Sequence, residues 1–305
     1  MITLEEAAAH IRSGEVAAFP TETVYGLGAN ALDAAAVARI YALKGRPATS
    51  PLIVHVASIE MAKTLTRDWP AAADRLARQY WPGPLTLVLP KAATVPSIVT
   101  AGLLTVGLRM PNHPVALELI RQAGVPIAAP SANKFTGLSP TTAEHVRNAF
   151  GDAVAVLDGG PCQVGIESTV VAIEDGGIRL LRPGMISFGE IERANAPAGD
   201  AAHPSPGMHE RHYSPRTRLI LVKDASQLPD ARGAFLWLTC PPPARSAAAA
   251  RLVEMPSDPA AYAARLYSVL HELDREGWPW IAVESPPETA AWEGVLDRLR
   301  RAATK

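Results

Sequence analysis

Apolar residues along this chain recur with two periods, 3.6 and 2, and the places where one gives way to the other mark out its elements. Thr3, with Glu6 three positions on and Gly14 as a stop, predicts a first helix with a capping box. Residues 16–19 form an apolar run that predicts a buried strand, and residues 33–43 predict a helix. The β-branched run at 52–56, broken by His55, predicts another strand. Helices at 59–65 and 71–80 come next, then a turn at Pro82-Gly83-Pro84 that opens a strand over 85–90. Further strands are predicted at 105–109, 125–129, 154–157, 169–173 and 178–181, with a helix capped by Thr141 and Glu144 and ending near Phe150. Beyond a stretch rich in Ala, Pro, Gly and Ser, strands at 219–222, 234–238 and 281–283 and amphipathic helices at 260–276 and 289–301 predict a second, smaller α/β unit.

The chemistry-bearing residues gather where predicted strands and helices end. Lys44-Gly45-Arg46-Pro47 puts two cations one residue apart in a turn at a helix C-terminus, just ahead of a strand. Such a turn is either a solvated helix end favoured by the macrodipole or a grip for a polyphosphate. Gly26, Gly28 and Ala31 match the spacing of a dinucleotide fingerprint, but no acidic residue follows before Glu60, where the ribose would need one about 20 positions on. The better reading of residues 20–31 is a tight loop in which small residues let a substrate approach the backbone and Thr21 or Thr23 offers a hydroxyl. Arg109 closes a buried strand and must find a substrate carboxylate or a surface partner. Ser131, Ser168 and Arg182 also sit at strand ends, where α/β proteins build ligand contacts or simply turn.

Composition narrows the class. With 305 residues and 48% hydrophobic content the chain can bury one large core or two ordinary ones. A net charge of -1 provides no global field for nucleic acid or membrane, so an anion site has to be local. Two cysteines, Cys162 and Cys240, are too few for a disulfide framework or a multi-cysteine zinc site, read as small core hydrophobes, and fit a reduced cytoplasmic setting. No run reaches the roughly 18 apolar residues of a spanning helix, and the N-terminus has no signal-peptide pattern.

Eight segments occur together and in order: 20–27, Lys44-Gly45-Arg46-Pro47, 51–55, 82–86, Gly107-Leu108-Arg109-Met110-Pro111, Pro130-Ser131-Ala132-Asn133, Glu167-Ser168-Thr169-Val170 and Leu181-Arg182-Pro183-Gly184. With them, residues 1 to about 190 resemble the threonylcarbamoyl-AMP synthase family, whose fold is YrdC-like. Residues 205–215, Ser-Pro-Gly-Met-His-Glu-Arg-His-Tyr-Ser-Pro, are similar to the linker signature of the family's long, two-domain form, although His209 stands where that signature often carries Lys. The resemblance implies an α/β fold: a twisted mixed β-sheet with flanking helices and an open cleft over 1–190, a linker and active-site lid over 191–217, and a smaller Rossmann-like α/β domain over 218–305.

It also implies a reaction. L-threonine, bicarbonate or CO2, and ATP would give L-threonylcarbamoyladenylate and pyrophosphate, the first step of N6-threonylcarbamoyl modification of tRNA adenosine 37. Lys44, Arg46, Ser131 and Asn133 resemble the family's paired catalytic motifs around the nucleotide. Ser50, Thr105, Ser139, Arg182 and Tyr213 resemble further ATP contacts, and Thr23, His55, Arg109 and Ser168 the threonine contacts. The residue types suit the chemistry: in adenylation an oxyanion attacks the α-phosphorus while pyrophosphate leaves, which needs charge neutralisation and alignment more than covalent catalysis. No acidic cluster has metal-ligand spacing, so the Mg2+ that the family uses would be held by phosphates and water. The partner implied is a tRNA threonylcarbamoyl transferase. Two rivals stay open: an RNA-binding module whose groove uses the same cations, with weak RNA binding as its milder form, and a carbamoyl-adenylate enzyme of the hydrogenase-maturation type, whose cysteine-rich zinc modules two cysteines cannot supply.

Overall fold

The computed structural model describes residues 1–47, 49–174, 177–188, 192–193, 212–239 and 249–304. Fourteen strands among them build two sheets. The first ten are β1 (Ala17–Phe19), β2 (Gly26–Asn30), β3 (Ile53–His55), β4 (Leu85–Pro90), β5 (Thr105–Arg109), β6 (Ile127–Ala128), β7 (Ala155–Val156), β8 (Thr169–Glu174), β9 (Gly177–Arg182) and β10 (Glu192–Arg193). They form one mixed sheet in the order β10-β9-β8-β4-β5-β3-β6-β2-β1-β7. The remaining four, β11 (Arg218–Val222), β12 (Gly233–Trp237), β13 (Ala249–Glu254) and β14 (Trp280–Glu284), form an all-parallel sheet in the order β11-β14-β12-β13.

Six helices flank the large sheet: α1 (Leu4–Arg12), α2 (Ala34–Lys44), α3 (Ile59–Lys63), α4 (Ala71–Tyr80), α5 (Pro114–Ala123) and α6 (Ala143–Phe150). The first carries the expected box, with Thr3 Oγ1 accepting from Glu6 N and Glu6 Oε2 accepting from Thr3 N at 2.7 Å. α2 ends on Gly45 at φ 63°, a left-handed position that glycine fills without strain, so Lys44 and Arg46 leave the helix in fixed directions. Two long helices, α7 (Pro259–Glu276) and α8 (Glu293–Ala303), cover the small sheet, burying Leu266, Leu270, Leu273, Val295 and Leu299. Among the described residues no helix is long and apolar enough to cross a membrane.

Three expectations change. Residues 26–30 are a strand rather than part of a loop, paired antiparallel with β1. A Cβ on Gly28 would lie 2.7 Å from Phe19 Cε1 and 2.8 Å from Ile127 Cγ2, so this glycine makes room for an aromatic ring. β13 lies in an Ala-rich stretch with no strand pattern, and parallel pairing with β12 makes it one. β10 joins the large sheet inside the segment expected to be linker. Residues 194–211, which hold most of the expected lid including Met208, His209 and Arg211, lie outside the described residues, as does Cys240.

The two units meet across a face that includes a pair of stacked histidines, His145 of α6 and His271 of α7, with ring centroids 3.9 Å apart. Burial, then His271 and Arg275, push the His145 pKa down to about 3, and burial also lowers His271. Both rings are therefore neutral at pH 7. A histidine held neutral in the fold contributes no penalty above its ordinary pKa of 6.5; below it the unfolded chain takes up a proton that the fold refuses. His145 should therefore reduce stability progressively as the pH falls below 6.5. The unfolding midpoint measured from pH 7 to pH 5 should fall less steeply in His145→Gln than in the unsubstituted protein.

Candidate active site

A cavity opens where the carboxyl ends of β3 and β5 meet the turns that follow β1 and β6. Its wall carries Thr23, Arg46, His55, Arg109, Ser131, Ser168, Arg182 and Tyr213. Eight of the thirteen residues expected at the site thus share one lining. All three arginines are buried, so the cavity has a strongly cationic wall in a low-dielectric setting.

Each arginine is aimed by the backbone around it. Arg109 Nε donates to the Gly83 carbonyl at 3.3 Å and Nη1 to Thr23 Oγ1 at 2.9 Å. Its Nη2 lies 2.7 Å from Glu22 Oε2 as an ion pair, and has no hydrogen-bond partner among the described residues. Glu22, 3% exposed, is a site residue that sequence reasoning missed; its one signal was a carboxylate inside the Thr21-Glu22-Thr23 segment. Arg46 Nε and Nη2 donate to the carbonyls of Ser50 and Pro51 at 3.3 and 3.0 Å, and burial brings its pKa down to about 10. Arg182 bonds the Ser168 carbonyl through Nε and Nη2 at 3.1 and 3.0 Å, and Ser168 Oγ at 3.1 Å. Ser168 Oγ also meets Thr86 Oγ1 at 2.8 Å.

His55 stands in the lining with its Nδ1 buried and unpartnered among the described residues. Burial, then the nearby Arg109 charge, lowers its pKa to about 3, so it faces the cavity as a neutral ring. The Tyr213 hydroxyl is likewise buried and unpartnered, on a residue held at φ 60°.

The other five expected residues stand off the lining. Lys44, at the C-terminus of α2, donates from Nζ to the carbonyls of Ser131 and Asn133 at 2.6 and 2.5 Å and to Asn133 Oδ1 at 3.3 Å. It therefore stands behind the 131–133 turn rather than in the cavity. Burial, then Arg46 and Lys134, lowers its pKa well below the ordinary lysine value. Asn133 Nδ2 bonds the carbonyls of Lys134 and Gly137, and its Oδ1 accepts from Ser131 Oγ at 2.5 Å. Ser139 Oγ reaches Glu167 Oε1 at 2.5 Å. Ser50 is buried outside the lining, its carbonyl taken by Arg46 and Tyr41. Thr105 faces a small neighbouring cavity with Thr86 and Thr100 that shares Ile53 with the main one.

Two family models cover the chain: residues 9–184 match one described as "Telomere recombination", and residues 179–304 match "Threonylcarbamoyl-AMP synthase, C-terminal domain". The threonylcarbamoyl-AMP synthase of Pyrococcus abyssi is 41% identical over 97% of this chain and 93% of its own length. The chain belongs to the threonylcarbamoyl-AMP synthase family. The Bacillus subtilis threonylcarbamoyl-AMP synthase is also 41% identical, over 98% of this chain and 92% of its own. The crystal structure of P. abyssi Sua5 complexed with L-threonine superposes with a TM-score of 0.90 at 39% identity, covering 98% of this chain and 94% of that one. Family membership over both sheets sets aside the hydrogenase-maturation reading, and the mixed sheet followed by a smaller α/β domain is the fold that the motifs implied.

Proposed function

We propose that this cavity is where the chain joins L-threonine, bicarbonate or CO2, and ATP into L-threonylcarbamoyladenylate and pyrophosphate. The observation that carries the assignment is the convergence of Arg46, Arg109 and Arg182 with a neutral His55 on one buried wall. A triphosphate and an amino-acid carboxylate both call for such a wall, and a neutral imidazole suits a substrate whose amine must lose its proton before attacking carbon.

Arg109, with N–H groups left over on Nη2, takes the threonine carboxylate, and Thr23, Ser168 and His55 take its hydroxyl and amine. The amine adds to CO2 and sheds a proton, giving a carbamate. One carbamate oxygen then attacks the α-phosphorus as the bond to pyrophosphate breaks, so negative charge moves from the nucleophile to the leaving group. Arg46 and Arg182 face that charge, and the Tyr213 hydroxyl supplies an oriented donor. Lys44 acts through the turn it clamps: with its three Nζ contacts spent on Ser131 and Asn133, it sets where Ser131 meets the nucleotide. Ser50, Asn133, Ser139 and Thr105 hold the next layer, and His212 and Tyr213, at the end of the proposed lid, line the cavity.

Mg2+ would enter with ATP. The carboxylate in the lining, Glu167, is taken up by Ser139 and Arg298, and among the described residues no group of three His, Cys, Asp or Glu could hold a metal ion. Oxygens of ATP and water would then hold it, and it would supply charge neutralisation to the triphosphate. The product, an acyl adenylate, needs a transferase that moves its threonylcarbamoyl group to tRNA. The three arginines are buried along the cavity rather than spread over an exposed surface, which does not favour an RNA groove.

The test is pyrophosphate release from ATP with and without L-threonine and bicarbonate. Release should require both and fall at least about tenfold in Arg46→Ala, since one charge-assisted contact to the nucleotide is worth about 1.5–3 kcal/mol. Release indifferent to threonine would overturn the assignment.

A further inference from the structure

The small domain meets the back of the site through a buried arginine, Arg298. Gly294 of α8 lies against Gly184, close enough that a Cβ on it would stand 2.6 Å from the Gly184 carbonyl oxygen. That contact turns the next residue on the same helix face, Arg298, inward. Its side chain is 0% exposed and makes four contacts beyond its own helix. Nε donates to Glu167 Oε2 at 2.7 Å, Nη2 to the Glu167 carbonyl at 3.1 Å and Nη1 to the Pro183 carbonyl at 2.9 Å. The guanidinium carbon also sits 5.1 Å from the centroid of the Tyr213 ring.

Those partners flank proposed contacts to both substrates, Ser168 for threonine and Arg182 for the nucleotide. Glu167 precedes Ser168, Pro183 follows Arg182, and Arg182 itself is bonded to Ser168. Glu167 further accepts from Ser139 Oγ at 2.5 Å and from the Tyr267 hydroxyl of α7 at 3.2 Å. One planar cation thus spans two backbone carbonyls and an aromatic face, a geometry that lysine, with its compact point charge, cannot reproduce.

We propose that Arg298 is a positioning residue of the adenylation site, through which the C-terminal domain sets Arg182, Ser139 and Tyr213 against the nucleotide. The inference rests on the nucleotide assignment made above. Ser168 is separately anchored by Thr86, so displacement should fall on ATP more than on threonine.

Burial opposes the charge on Arg298, but Tyr213, Glu167 and Asp297 outweigh it and hold the side chain protonated. Arg298→Lys keeps that charge next to Glu167 and removes the fork. With the full-length protein, its KM for ATP should rise about tenfold or more, with the KM for threonine changing less than about threefold, because small misplacements of a contact are magnified in the rate. The neutral pair Glu167→Gln/Arg298→Met should fold without restoring ATP use. Linkage supplies a readout that needs no substitution: ATP with threonine should slow amide hydrogen exchange across residues 293–303 of the unsubstituted protein. Kinetics of Arg298→Lys within twofold of the original, or exchange in α8 indifferent to ATP, would overturn the proposal. Arg46→Ala assayed alongside separates the two readings. If it loses activity while Arg298→Lys does not, the positioning role alone falls; if neither loses activity, the nucleotide assignment falls with it.

Discussion

Arg109→Met should lower kcat/KM for L-threonine by more than about 100-fold, and it should also destabilise the fold. Two effects combine. The substrate carboxylate loses its cation, and the buried Glu22 carboxylate loses the partner 2.7 Å away that makes its charge tolerable. Removing one member of a buried ion pair typically costs about 3–5 kcal/mol, enough to dominate either readout. The double variant Glu22→Gln/Arg109→Met separates them, because a neutral amide no longer needs the guanidinium. Its unfolding midpoint should recover most of the loss while threonine-dependent pyrophosphate release stays down by the same factor. Recovery of both together would mean that Arg109 only holds Glu22 and that threonine binds elsewhere.

Lys44→Met carries the second large expectation. Lys44 is 3% exposed, and its ammonium bonds two carbonyls and an amide oxygen of the 131–133 turn. Methionine fills the space but leaves those acceptors without donors, at about 1–3 kcal/mol for each that stays buried and unmet. Turnover should drop by about 100-fold or more, because Ser131 loses its placement as well as the local field. Arg46→Ala removes a group of the lining itself, so its defect should be confined to ATP, whereas Lys44→Met should show a lowered kcat with a lower unfolding midpoint. A Lys44→Met protein with a normal midpoint and an ATP KM defect alone would place the lysine directly on phosphate.

The two domains bear on each other through charge as well as packing. Burial raises the Glu167 pKa, but Arg298, then Arg182 and Ser139, outweigh it and keep the carboxyl below its ordinary value. A carboxylate held in this way is a fixed acceptor at neutral pH, and it ties the motif Glu167-Ser168 to helices α7 and α8. The small sheet and its helices thereby do more than cover one end of the large one.

How much of this was legible in the chain differs by element. The capping box at Thr3, the turn at Pro82-Gly83-Pro84 and the runs that became β3, β4, β5 and β8 were readable because each is fixed by neighbours a few residues away. β13 and β10 were not: one lies in an alanine-rich stretch and the other is two residues long, and only pairing with β12 and β9 makes them strands. The ordered motifs likewise marked Arg46, Arg109, Ser131, Ser168 and Arg182 as one set, since their residue types and spacing survive without coordinates.

What the sequence could not state is which charges meet. Glu167 and Arg298 are 131 positions apart, and nothing in the spacing of either predicts the other. Glu22 pairs with Arg109 for the same reason of folding, and Lys44, whose motif suggested a phosphate grip, bonds the carbonyls of a backbone turn in the fold. By itself the sequence determined most of the elements, the family pattern and the kinds of side chain at the site, because local backbone preference and short-range spacing encode them. The tertiary structure alone decided which cations face the cavity and which are spent behind it, because a buried charge takes its role from the partners the whole fold brings within about 3 Å.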